Sequence, residues 1–549
     1  MKPSVHVVGK AIAGIALLAT LGVASGTANA KTLQERFDEA DAQGGDWYKN
    51  NPNGMPWGQS YVLMSYVDAF NATHDPKYLD RLAYGIDNAL AVTDKARGLK
   101  DFRNESKLCW QSTGYSTQPV CWAAHTGMLT SSMAEFALIL KNAPTLASHQ
   151  TYDGTTLGDK AATFLAAARE GVTVHEVEWR SDATTGWYVF PPDATFYQYN
   201  GQEVPPNMYG AMGLLYIALY EATGEDLYKD RATRLAKRFR KRLTTSATTG
   251  AYLWNYWNPG FNSPGEDLPH AALNMNFVMR AEKAGIEFTR DDVAKLVKTY
   301  LLHTTVDSAT VNSHIAGGQK MAYPKSLDVG FLATVSSYDP IAHATVRNAF
   351  EPQRLDGVGG IRALRGLGSL MVSELPIVKS ALYHADWTDL GDGRKQASAA
   401  DANILSYPDD PTKPHIIKFK YSSTKPVKVQ QYDGANWHTL HTLAPTSGKM
   451  VTTIVGYRPE LYSSYEGGVL FQFSDAFVAG QGIIVQTMDV DPDEKADGDD
   501  GDDDGESMSE ADAGGCSTSA NSSRALTSAV ILVFALISIV TMRRSRKDP

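Results

Sequence analysis

FNATHDPKYLDRLAYGIDNAL (Phe70–Leu90) and YEATGEDLYKDRATRLAKRF (Tyr220–Phe239) follow one plan. Each finishes an apolar helix, turns through a Thr-containing break carrying Asp or Glu, and opens a more polar helix. Apolar residues before the break recur at three- and four-residue spacing, as in Tyr61–Phe70 and Tyr209–Leu219. The same plan fits 122–142 with 158–178, 267–284 with 290–303, and 324–337 with 340–350. The helices near Leu33–Ala42 and Gly360–Ser373 each lack a sequence neighbour, so pairing them with each other closes a ring. The expected architecture over residues 31–374 is therefore an (α/α) toroid of inner and outer helices. An open solenoid does not explain why the inner helices are rich in glycine and aromatics while the outer ones are polar.

After Leu375 the period changes. HIIKFKYSS, VKVQQYDG, MVTTIVGYR, GVLFQFSD and GIIVQTMDV are short runs of Val, Ile, Phe and Tyr separated by turn residues. A smaller β-sandwich-like module is expected over 375–490.

The flanks read as addresses. Lys2 and Lys10 precede an apolar run ending before Ala28-Asn29-Ala30, so residues 1–30 form a signal peptide. Residues 491–512 hold twelve Asp or Glu and one Lys, a charge of −11, so the rest of the −10 chain sums to about +1. That stretch, within an acidic linker over 491–524, stays extended by self-repulsion. With the charge so placed, neither a globally acidic protein nor a nucleic-acid binder fits. The uncharged run 525–542 is expected to span a membrane, with the Arg/Lys-rich tail 543–549 on the cytoplasmic side. Gly514-Gly515-Cys516 before that span resembles the Cys-bearing sorting tails of myxobacterial surface proteins. The resemblance implies processing at Cys516 by a sorting protease and anchoring at the cell envelope or surface.

In a toroid every inner helix enters from one end, so the residues at those entries meet around one mouth. The entries contribute Trp57, Trp122 with His125, Asn207 with Tyr209, Glu266 with His270, and Tyr323 with Lys325. Two aromatic loops add Trp187 and Tyr199, then Trp254, Tyr256 and Trp257. Aromatic faces beside planar polar groups suit stacked sugar rings. Cys109 and Cys121 flank a short loop before the His125 helix. A bridge between them would stabilise the fold by about 3 kcal/mol. No metal or other cofactor is expected from the residue spacing.

CWAAHTGMLTSSMAEF, PPNMYGAMGLLYIALYEATGEDLY and EDLPHAALNMNFVMRAEKAGIEFT resemble segments of (α/α)-toroid proteins acting on uronic-acid polysaccharides, among them polysaccharide lyases and the helical domain of glucuronyl C5-epimerases. The resemblance implies a polysaccharide substrate and a catalytic set of Asn207, His125 or His270, and Tyr209 or Tyr256. C5-proton abstraction needs an amide or imidazole to damp the uronate charge, a base, and a tyrosine to protonate O4. Trp57, Trp122, Trp187, Tyr199, Trp254, Trp257, Glu266 and Lys325 are expected to bind substrate, with Glu266 orienting His270. A glycoside hydrolase would instead need a second carboxyl, from Asp68, Glu135 or Asp328. A non-catalytic glycan-binding protein needs only the aromatic loops.

Overall fold

The computed structural model describes residues 31–487 apart from 50, 53, 323–329, 331, 351–359 and 479–480. The expected signal peptide, acidic linker, Cys516, spanning segment and basic tail lie outside the described residues, as do Tyr323, Lys325 and Asp328. No helix among the described residues is long and apolar enough to cross a membrane.

Helices occupy the chain from Leu33 to Val372 and form the expected two-layer ring. The inner helices Ser60–Thr73, Ala123–Asn142, Pro206–Thr223 and Leu268–Lys283 pack side by side in chain order. The 3₁₀ turn Ala333–Ser337 continues the layer, through Thr334 bonded to Asn276 of the preceding inner helix and Tyr338 bonded to its Met279 carbonyl. Ile361–Val372 then packs on both that turn and the first inner helix, closing the ring. Across the closure Arg365 pairs with Asp68, whose carboxylate also accepts Ser369 Oγ at 2.9 Å.

Outside lie Leu33–Gly44, Pro76–Ala91, Leu157–Val174, Asp226–Arg240, Arg290–Thr299 and Pro340–Ala349. The orphan helices pair as the sequence predicts, Leu33–Gly44 lying against Ile361–Val372. The small residues of the inner layer permit close approach. A Cβ on Gly127 would stand 2.6 Å from the Ala211 backbone, and one on Gly213 would enter the Phe277 ring.

Capping separates the two layers. Most outer helices open on Thr or Asp side-chain caps at Thr32, Asp75, Thr156, Thr289 and Asp339. Among the described inner helices, those following Trp122, Pro205 and Gly360 have no side-chain cap, Ser60–Thr73 continues the π turn Met55–Gln59, and Leu268–Lys283 is capped by Asp267. Three inner helices thus leave their first-turn N–H groups, the positive ends of the helix dipoles, without a side-chain cap.

Strands from Ile377 to Thr487 form two six-stranded sheets, antiparallel apart from one pairing of Ile377–Val378, and a separate hairpin of Phe477–Val478 with Gln481–Gly482. Phe419 of one sheet meets Phe473 of the other edge-on at 5.4 Å, within a core holding Tyr421, Val455, Val429 and Phe471. This is a sandwich. It grips the ring along the last outer helix, where Arg458 also pairs with Asp339 at 3.2 Å, and at the small sheet before it. Asn348 of the last outer helix exchanges 2.7 Å bonds with the Ile454 backbone. Ser308, in the turn of the three-stranded sheet spanning 305–322, donates its N–H to Thr442 at 2.8 Å and accepts from Ala444 at 3.1 Å.

Candidate active site

The entries of the inner helices do converge. The Trp57 ring stands edge-on to His125 at 6.1 Å and to His270 at 5.9 Å, joining three inner-helix entries. Tyr256, from the second aromatic loop, lies 4.7 Å from His270. Of the two candidate tyrosines, Tyr256 therefore meets the imidazole. Tyr209 is fully buried in the ring wall, with Arg242 its strongest charged neighbour.

The segment before the fourth inner helix sets the chemistry through two adjacent acids. Asp267 caps the helix and accepts His270 Nδ1 at 2.8 and 2.9 Å. Burial opposes its ionisation, but His270 and His314 outweigh that and hold its carboxyl below the usual range. Glu266 is fully buried, and its Oε2 accepts the Trp254 indole N–H and Asn274 Nδ2, the latter at 2.8 Å. Burial pushes its pKa up to about 8, outweighing nearby His270 and these two donors. At neutral pH Glu266 is a neutral acid beside an ionised one. The expectation that Glu266 orients His270 is corrected: Asp267 does so, because helix capping turns its carboxylate back over the first turn.

The backbone of this pair is fixed from outside the ring. Ile315 donates to the Glu266 carbonyl at 2.9 Å, and Asp267 bridges to His314, both on the sheet spanning 305–322.

Buried polar atoms without partners gather at the same entries. Among the described residues, neither amide atom of Asn207 has a hydrogen-bond partner, although the residue is fully buried. The same holds for Glu266 Oε1, His125 Nε2 and Asn274 Oδ1. A Cβ on Gly210 would touch Asn274 Oδ1 at 3.3 Å, which places Asn207, one turn earlier on that face, towards the start of the His270 helix. His125 Nδ1 faces the Trp110 carbonyl at 3.5 Å, and burial lowers its pKa to about 4, so its ring stays neutral.

An aromatic wall runs outward from this centre. Tyr115 touches His125 and Trp122, Trp122 touches Tyr197, and Tyr197 touches Tyr199, which lies 4.7 Å from Trp257. Three expected sugar platforms fall elsewhere, the first being Trp122, which is buried behind Tyr115 and Tyr197. Trp254 is fully buried and holds Glu266 instead, while Trp187 lies under the Arg238 guanidinium at 4.5 Å. Two expected hydrolase acids are occupied at some depth: Asp68 by Arg365, and Glu135 by Arg280 at 2.9 Å.

Sequence reasoning missed Tyr115, Asn274 and His314. Asn274 lies two turns beyond Asp267 on the same helix, which is the signal that could have found it. His314 and Tyr115 arrive on segments whose folding back no local pattern announces.

The chain matches no family profile and no curated protein. Among solved structures it is similar to the GH76A α-1,6-mannanase of Salegentibacter sp. HEL1_6, at 12% identity and TM-score 0.39, over 62% of this chain and 98% of that one. It is also similar to the unsaturated glucuronyl hydrolase of Bacillus sp. GL1, at 11% identity and TM-score 0.37, over 63% and 83%. A D-mannose isomerase gives 11% identity and TM-score 0.37, over 60% and 84%.

Proposed function

We propose that this chain is a carbohydrate-active enzyme that removes the C5 proton of a uronic-acid residue in a polysaccharide, as a lyase or an epimerase. One observation carries the reading: the Asp267–His270 dyad, with Tyr256 against its ring, adjoins a carboxylic acid held neutral. His270 takes the proton, its tautomer and position fixed by the Asp267 carboxylate on Nδ1. Neutral Glu266 and the Asn207 amide donate to the substrate carboxylate as it gains charge, the role for which a buried acid with a raised pKa is suited. Tyr256, kept protonated by burial and by the nearby carboxylates, supplies the proton to O4 in a lyase or to the opposite face of C5 in an epimerase. The uncapped inner-helix ends favour an anionic sugar, and the wall from Tyr115 to Trp257 offers stacking faces for its neighbours. Anchoring at the cell envelope by the C-terminal span, with processing at Cys516, belongs to the same proposal and places the enzyme where exported polysaccharide is met.

A second reading, glycosidic hydrolysis with Glu266 as general acid, draws on the same pKa near 8. It needs a second carboxylate across the bond, and Asp267 is adjacent in the chain and engaged by His270.

The test is incubation with a panel of uronate polymers, following ultraviolet absorbance of a 4,5-unsaturated product and deuterium uptake at C5 from heavy water. Absorbance identifies a lyase, and exchange without absorbance an epimerase. New reducing ends with neither signal would establish hydrolysis and end the proton-abstraction reading.

A further inference from the structure

The loop closed by the Cys109–Cys121 disulfide rests on a carboxylate. Asp94 opens the short helix Asp94–Arg97 and is fully buried. Its Oδ2 lies 3.2 Å from Cys109 Sγ and 3.6 Å from Cys121 Sγ. Its polar support is thin: the Gln111 N–H at 3.3 and 3.4 Å, and Arg97 at 3.5 Å. A disulfide gains nothing from a buried carboxylate set against both sulfurs, and burying the charge is costly.

The arrangement does match a metal site. Tetrahedral coordination with zinc–sulfur bonds of about 2.3 Å and a zinc–oxygen bond of about 2.0 Å separates oxygen from sulfur by about 3.5 Å. The two observed separations bracket that value. All three donor atoms lie within 4.8 Å of one another, and all three residues are buried.

We propose that the reduced protein binds one zinc-class divalent ion through Asp94, Cys109 and Cys121, so that metal and disulfide are alternative closures of one loop. A phosphine reductant breaks the S–S bond, takes oxygen from water to become a phosphine oxide, and leaves two thiols. Each thiol releases its proton to solvent on binding the ion. Two thiolates with one carboxylate favour zinc or cobalt over magnesium or calcium. Either closure holds Tyr115, inside the loop, against Trp122 at 5.8 Å and His125 at 6.1 Å. The inference does not depend on the reaction proposed above.

The full chain carrying Cys516→Ala, reduced with a phosphine without oxygen, is titrated with cobalt(II). One cobalt per chain is expected, with thiolate-to-cobalt charge-transfer absorption that zinc abolishes. The unreduced chain should show none. Cys109→Ser should eliminate the absorption, and Asp94→Asn should weaken binding at least tenfold. Thermal melting covers the case in which reduction loosens the fold: zinc should raise Tm of the reduced chain and leave the oxidised chain unchanged. Absence of charge-transfer absorption, its persistence in Cys109→Ser, or a Tm of the reduced chain indifferent to zinc would each overturn the proposal.

Discussion

Arg365 of the last inner helix donates to Asp68 of the first, across 297 positions of sequence. The pair is a polar latch between the first and last inner helices, where the ring closes. Arg365 is buried and Asp68 nearly so, so removing the carboxylate strands a charge. Asp68→Ala should lower stability by about 3 kcal/mol, and Asp68→Ala with Arg365→Met should recover part of that loss. Chemical denaturation of both variants checks it.

Asn207 gives the opposite sign. Among the described residues both its amide atoms are buried without partners, which costs the folded chain stability. Asn207→Leu, similar in volume, should stabilise the fold by about 1–3 kcal/mol and raise Tm. It should also lower kcat by about 10²–10³ with little change in KM. A variant that melts higher and turns over normally would remove Asn207 from the site.

Glu266 predicts a pH signature. Its folded pKa of about 8 stands above its ordinary 4.5, so the native state holds a proton that the unfolded chain gives up between those values. That contribution to stability is complete below pH 4.5 and is lost as pH rises through 8. Tm should therefore fall across this window, and Glu266→Gln should flatten the fall. Activity should decline above pH 8 as the ionised group repels a uronate. Glu266→Gln, still a donor, should keep more activity than Glu266→Ala, whereas a general acid would lose everything in both.

Asp267 separates capping from chemistry. Asn caps a helix about as well as Asp, so Asp267→Asn should leave stability within about 1 kcal/mol of the parent chain. It should cut kcat by about 10²–10⁴, since the ring loses its charged partner. His270→Gln should produce a similar loss, and the double variant little more, because the two act as one unit. Steady-state kinetics of the three variants decides it.

Much of the ring was legible because its signal is periodic. Phe70–Leu90 and Tyr220–Phe239 display the inner-to-outer turn openly, and the unpaired helices at Leu33 and Gly360 implied closure. The mouth was legible as a set of helix entries, which is why Trp57, His125 and His270 meet. Individual roles were not. Whether Glu266 or Asp267 holds His270 turns on which carboxylate folds over the helix start, a rotamer matter with no sequence pattern. Trp254 and Trp257 look alike in AYLWNYWNPGF, yet the first, just after the strand Tyr252–Leu253, is sealed against Glu266, and the second, in the bend that follows, is half-buried beside Tyr199 and donates to the Glu203 carbonyl. His314 reaches Asp267 only through tertiary pairing of a distant sheet.

That pairing couples two melting events. The Glu266 carbonyl is held by Ile315, and the same sheet is held through Ser308 to the backbone of Thr442 in the sandwich. Local opening need not involve the whole chain, and a strand such as Trp437–Leu443 can loosen while the ring stays closed. Loosening of that strand would remove the outer support of the Glu266 segment while the helices of the ring stay formed. Turnover lost on warming while helical circular dichroism still looks native is the expected signature of that coupling.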